Sequence, residues 1–343
     1  QIVKRIVDSI TTQVDLQGHE IHLSSSVGIS LFPDDGDSAD TLLKNASTAL
    51  YHAKLQGQNN YQFYNEKLNR DSLENLKLEN DLRHAIERNE LDLHYQPKID
   101  LASGKVNSVE ALVRWRHPEI GMIPPGEFIP IAEKTGLITS LGYWILDTAC
   151  RQIREWQDAG YDQLTVAVNL SAIQFRQTDL LEEILNTLEA TGICAHQLEL
   201  EITESTIMDD IDTASSTMRA LHCSGIHISI DDFGTGYSSL SHLKRFPINT
   251  VKIDRSFIRD ITTDSDDAAI VGAIIAMAHN MGLKVIAEGV ETQQQLDFLY
   301  SLQCDEVQGF LFSPPVPHHE ACALLDLCIE TQQIPVASKC SAS

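Results

Sequence analysis

The chain has 343 residues, 43% hydrophobic and 22% charged, which suits one large globular domain plus a smaller piece and excludes fibrous or disulfide-stapled folds. With 49 Asp and Glu against 25 Lys and Arg, its formal charge of −24 repels polyanions and argues against a DNA- or RNA-binding surface. The 7 cysteines form no C-x-x-C pair and apolar runs such as AIIAMA (273–278) are too short to span a bilayer, so no zinc finger and no membrane contact are expected; the reading is a soluble, cytoplasmic protein with reduced thiols.

The first residue is Gln1, and further sequence upstream is expected. Residues 1–65 contain one alternating segment, IHLSSSVGISLF (21–32), a turn-rich PDDGDS, and the helical pattern ADTLLKNASTALYHAKLQG (39–57), the tail of an α+β domain. Residues 66–89 carry apolar positions at three- and four-residue spacing and predict a connecting helix. From 90 to 330, short β-branched strands alternate with helices as βα units require. Eight strands are predicted: 91–99, 106–115, 165–171, 198–205, 227–233, 250–257, 284–290 and 306–312. That rhythm predicts an α/β fold, a closed (β/α)8 TIM-like barrel. DLASG (100–104) is too short for a parallel crossover, so the first strand should run antiparallel to the second. The tail 331–343 lacks periodicity and is expected to be mobile.

A barrel strand is buried on both faces, so polar residues of one parity near its C-terminal end are site candidates. Ser108, Glu110 and Arg114 share a parity in strand two, with Leu112 among them. Asn169, then Glu199, Glu201 and Thr203, then Asp231 and Asp232, then Lys252 and Asp254, and finally Glu288 and Gln308 continue the set, converging at one rim. Glu110 alone reads equally as an edge carboxylate, and Asp231-Asp232 before Phe-Gly-Thr-Gly as a polar turn. Six strands choosing one parity are hard to obtain from solvated surface. At that rim the five carboxylates Glu110, Glu201, Asp231, Asp232 and Glu288 with Lys252 leave a net charge of −4, and two carboxylates ~4 Å apart repel by about 4 kcal/mol at an effective dielectric near 20. Either the acids protonate or divalent cations neutralise them. Oxygen-only ligands favour Mg²⁺ or Mn²⁺ over zinc, and a pair of such ions is the arrangement that cleaves phosphodiesters. His117, His318-His319 and Cys194-Ala-His196 read as structural. GTGYSS (234–239) is either a flexible lid or an N-cap through Ser238 or Ser239.

VEALVRW, AVNLS, LELEITES, ISIDDFGTGYSSL, VKIDRSFI, IAEGVET and VQGFLFSPPVP together resemble the EAL-domain phosphodiesterases of bacterial cyclic-di-GMP signalling, over residues 80 to about 328. The resemblance implies that Glu110, Asn169, Glu201, Asp231 and Asp232 hold two Mg²⁺ or Mn²⁺ ions, with Ca²⁺ supporting binding without turnover. It implies that Lys252 serves the water and scissile phosphate, Glu288 the second metal or a base role, and Gln308 the order of that network. Glu204 would anchor the DFGTGYSS loop, Arg114 a phosphate and Gln96 a guanine; Asp254 joins these as a substrate-binding candidate. A homodimer is expected on the same grounds. Residues 20–65 resemble the C-terminal end of a GGDEF diguanylate cyclase domain through SSSVGISLFPDDG and the pattern from Ala49 to Gly57. The G-G-D-E-F signature is absent and Asn45-Ala46-Ser47 stands where that family shows Ala-Asp, so no cyclase activity is expected of this portion. The expected reaction is metal-dependent opening of cyclic-di-GMP to linear pGpG. The alternatives are a catalytically silent cyclic-di-GMP receptor and a protein-interaction scaffold.

Overall fold

The computed structural model describes residues 2–10, 14–16, 19–21, 25–55, 60–208, 210–235 and 243–326, arranged as two units, Gln1–Leu82 and Arg83–Ser343. The 331–343 tail, Ser238 and Ser239 lie outside the described residues. In the first unit, strand Val27–Ile29 pairs in parallel with Tyr61–Phe63, and helix Ala39–Leu55 makes the crossover. Gly28 is required there: a Cβ would lie 2.1 Å from Ala46 O and 2.2 Å from Leu50 N, so only glycine lets the helix lie on the strand. Helix Glu66–Ala85 follows.

The second unit is a closed barrel of eight strands: β1 (Leu91–Asp100), β2 (Val106–His117), β3 (Thr165–Asn169), β4 (Leu198–Thr203), β5 (His227–Phe233), β6 (Thr250–Ile253), β7 (Lys284–Glu288) and β8 (Glu306–Gln308). Each pairs with its sequence neighbour and β8 closes onto β1. β1 is antiparallel to both β2 and β8, while β2 through β8 are parallel. The short connection after β1 has this consequence because a parallel return needs a crossover of about a dozen residues or more.

One parity of each strand faces the surrounding helices. Val166, Val168, Leu200, Ile202, Ile228, Ile230, Val251, Ile253, Val285 and Val307 are all buried. Burial of each such side chain contributes about 1.5–3 kcal/mol, so this shell supplies the barrel's stability. Helix Ile138–Asp158 covers part of it, with the Trp156 ring edge-on to Tyr95 of β1 at 4.9 Å. Between β5 and β6, residues 236–242 lie outside the described residues and Leu243 is helical. Several strands are shorter than their apolar patterns. β6 stops at Ile253 because Asp254 caps helix Arg255–Arg259, its side chain accepting from Ser256 N at 3.0 Å. β4 likewise gives way to helix Glu204–Met208.

His117 Nδ1 accepts from the Glu119 and Ile120 amides at 3.2 Å, and His318 opens helix His318–Leu325. Cys150, Cys194, Cys223, Cys304 and Cys322 are free thiols. Among the described residues, no helix is long and apolar enough to cross a membrane.

Candidate metal centre

The other parity of the strands points into the barrel, and there the polar residues meet. They fall in two layers rather than at a single rim, which corrects the expectation from parity. Glu201 and Lys252 are 1% exposed and sit well below the mouth. Lys252 Nζ lies 2.6 Å from Glu201 Oε2, 2.5 Å from Glu288 Oε1, 3.3 Å from Asp231 Oδ1 and 3.7 Å from Glu110 Oε2. One ammonium shared by four carboxylates leaves the group short of positive charge.

Neutral amides tie the upper acids together. Asn169 Nδ2 donates to Glu110 Oε1 at 2.7 Å, leaving its own Oδ1 as the amide's remaining acceptor. Gln308 Nε2 donates to Glu110 Oε2 at 2.7 Å and to Gln96 Oε1 at 2.9 Å, and Gln96 Nε2 donates to Ser313 O at 3.0 Å. Gln308 Oε1 is buried without a hydrogen-bond partner, an unmet acceptor that a ligand can satisfy.

Adjacent residues on a strand alternate faces, so Asp231 and Asp232 cannot both reach the mouth from regular backbone. The β5–β6 register shifts between Ile230 and Phe233, and Asp232 adopts φ +54°. That bulge turns both carboxylates to one side, and Asp tolerates the left-handed conformation better than bulky residues. Asp231, Asp232 and Glu288 thereby bring ligand oxygens within 4.8 Å of one another. Glu204 Oε2 accepts from Gly234 N at 3.1 Å, holding the backbone just after Asp232; residues 236–242 lie outside the described residues. Asp254 stands close enough to Asp232 to raise its pKa, behind burial and Asp231 as causes.

Burial, together with the neighbouring Glu201, raises Glu110 to about 7, and burial raises Glu288 to about 8 against the pull of Lys252. Burial opposes ionisation of Glu201 as well, but Lys252 and Lys98 overcome it and hold that acid at about 2. In the absence of cations Glu110 and Glu288 thus hold protons far more tightly than Glu201 does. An oxygen-only set with raised pKa values and an unmet buried acceptor fits a hard divalent cation.

A cleft of about 210 Å³ opens above, lined by Gln96, Glu110, Asp231, Arg255, Glu288, Glu291, Gln308 and Phe310. Arg114 stands outside it, its Nη1 donating to Val113 O at 2.8 Å. A second, more apolar pocket of about 390 Å³ runs past Asn169, walled by Leu112, Pro125, Ile129, Pro130 and Thr203. Sequence reasoning missed Lys98, fully buried at Glu201 and Glu199, although its parity with Gln96 on β1 was a usable signal. It also missed Phe310, 63% exposed at the cleft, for which no periodicity gives a signal.

Comparison with known proteins agrees with this geometry. Residues 79–315 match the family model described as EAL domain, and residues 1–60 the one described as diguanylate cyclase, GGDEF domain. The chain is 48% identical over 322 residues to the bifunctional diguanylate cyclase/cyclic di-GMP phosphodiesterase MucR of Pseudomonas aeruginosa, covering 94% of this chain and 47% of the relative. It is 41% identical over 298 residues to the cyclic di-GMP phosphodiesterase PdeR of Escherichia coli, covering 87% of this chain and 45% of that protein. The chain therefore spans less than half the length of these two relatives. Among solved structures, a MucR phosphodiesterase in complex with c-di-GMP is 51% identical, with a TM-score of 0.70 over 71% of this chain and 99% of that one.

Proposed function

The chain belongs to the EAL-domain family, with a GGDEF portion ahead of the barrel, and from that premise we propose that it hydrolyses cyclic-di-GMP to linear pGpG with Mg²⁺ or Mn²⁺. The observation that carries the reading is the convergence of Asp231, Asp232 and Glu288 within 4.8 Å beside the buried ammonium of Lys252. A pair of divalent cations, when bound, supplies Lewis acidity for the phosphate and lowers the pKa of water. Glu110, Asn169, Glu201, Asp231 and Asp232 are the residues that would hold them, every donor being an oxygen.

The chain's own groups do the rest. Lys252, kept charged by the acids around it despite its burial, is a fixed donor for the scissile phosphate. Glu288, raised to about 8, keeps its proton near neutral pH in the absence of cations; once cations had displaced that proton, its carboxylate would accept one from an attacking water. Gln308 orients Glu110 and Gln96 through its Nε2. Phe310 offers an aromatic face for one guanine beside Gln96, and the pocket past Asn169 has room for the other. Arg114, half-buried and with spare donors, suits a substrate phosphate, and Asp254 suits a polar contact beside Asp232.

Incubation of the chain with cyclic-di-GMP and Mg²⁺ or Mn²⁺ should yield pGpG, and Glu110→Ala should not. Intact cyclic-di-GMP together with tight binding in Ca²⁺ would instead identify a receptor. Neither turnover nor binding would leave a scaffold.

A further inference from the structure

Beneath the carboxylates lies a second polar layer that the proposed reaction does not use. Its centre is Lys98 of β1, whose side chain is 0% exposed. In the β1–β2 ladder Lys98 pairs with Ser108, one layer below Gln96 and Glu110. Its ammonium does not bond to that neighbour, and Ser108 Oγ has no hydrogen-bond partner. It crosses the lumen to β4 instead, 2.8 Å from Glu201 Oε1 and 3.2 Å from Glu199 Oε2. Ser229 Oγ donates to the other oxygen of Glu199, completing the layer.

The two oxygens of Glu201 are therefore divided between two lysines: Oε1 to Lys98 below, Oε2 to Lys252 above. A carboxylate held at one oxygen by a charge-assisted bond keeps a single rotamer and offers the other. We propose that Lys98 is a positioning residue of the metal centre, gripping Glu201 from within the barrel so that Oε2 alone faces the cluster at the mouth. It also balances the lower layer. Lys98 and Lys252 match Glu199 and Glu201 in charge, leaving Glu110, Asp231, Asp232 and Glu288 for the cations to neutralise.

The inference rests on the metal-centre reading above, and the experiment separates the two. Mn²⁺ is titrated into the EDTA-treated full chain and the free ion is read by paramagnetic resonance, with thermal melting as the check on folding. Lys98→Met is expected to melt cooperatively and to bind Mn²⁺ roughly 10–100-fold more weakly, the usual effect of losing a residue that orients a ligand. Lys98→Met/Glu199→Leu removes the lower ion pair whole and is expected to melt higher than the single variant while binding Mn²⁺ just as weakly. Should the single variant not fold, the double variant carries the comparison. A double variant that binds Mn²⁺ as tightly as wild type overturns the proposal, since the lysine would then serve only to offset Glu199. Wild-type protein that leaves the Mn²⁺ signal unchanged overturns the metal centre itself, and this inference with it.

Discussion

The lower and upper layers of the barrel lumen both hold buried acids, and those acids behave oppositely. Lys98 from below and Lys252 from above clamp Glu201, which stays ionised with a pKa near 2 although it is fully buried. Above, Glu110 and Glu288 are raised to about 7 and 8, and Asp232 is raised as well, because burial and mutual repulsion outweigh the share of Lys252 that each receives. A buried acid matched by lysines stays ionised without a cation from solution, and a buried acid without such a match needs one to do so. The difference is one of stoichiometry: two lysines suffice for two glutamates, and four further carboxylates remain.

The largest effect that this contrast predicts is on stability. Glu201→Leu takes from two buried ammonium groups the acid they share, leaving Lys98 only Glu199 and Lys252 only the upper acids, and should cost about 3–5 kcal/mol, measured as a lower urea midpoint. A midpoint equal to wild type would erase the distinction between the layers. Asp231→Asn acts in the upper layer and should do the reverse: turnover falls roughly 10²–10³-fold, while stability of the metal-free protein is unchanged or raised because a repulsive charge is gone.

Protonation gives a smaller effect. Glu110 and Glu288 have folded-state pKa values above their unfolded value, so their contribution to stability is full below about pH 4.5 and is lost as pH rises through 7 and 8. The melting temperature of EDTA-treated protein should thus fall between about pH 5 and 8, and Mn²⁺ should restore it. Mn²⁺ affinity should weaken roughly tenfold from pH 8 to 7 as the acids regain protons, checked by calorimetry in buffers of different ionisation enthalpy. At the small end, Arg151→Ala removes a bidentate pair to Asp147 at 2.8 and 2.9 Å on an exposed helix face, and should leave the urea midpoint unmoved.

Much of the barrel was legible along the chain. Alternation of Leu198, Leu200 and Ile202 with Glu199, Glu201 and Thr203 is a property of strand geometry with period two, so a polar face can be read without knowing what it meets. The five residues 100–104 were enough to reverse β1, because chain length limits a crossover. The candidate site was legible as a set of residues on one face, though not as two layers. Asp254 illustrates the limit: its parity with Lys252 placed it on the strand, whereas it caps the next helix, since side-chain capping competes with continuation of the ladder.

What the amino-acid order determined was which face of each strand would be polar and how the chain had to turn between strands, both consequences of local geometry. Which polar residues meet was decided by closure of the sheet, whose stagger sets the level of every side chain in the lumen. Only that closure carries Lys98 of β1 across to Glu201 of β4, 103 positions along the chain, and only the bulge in β5 turns Asp231 and Asp232 to the same side. Periodicity is written in neighbours; the balance of charge inside a barrel is written between strands.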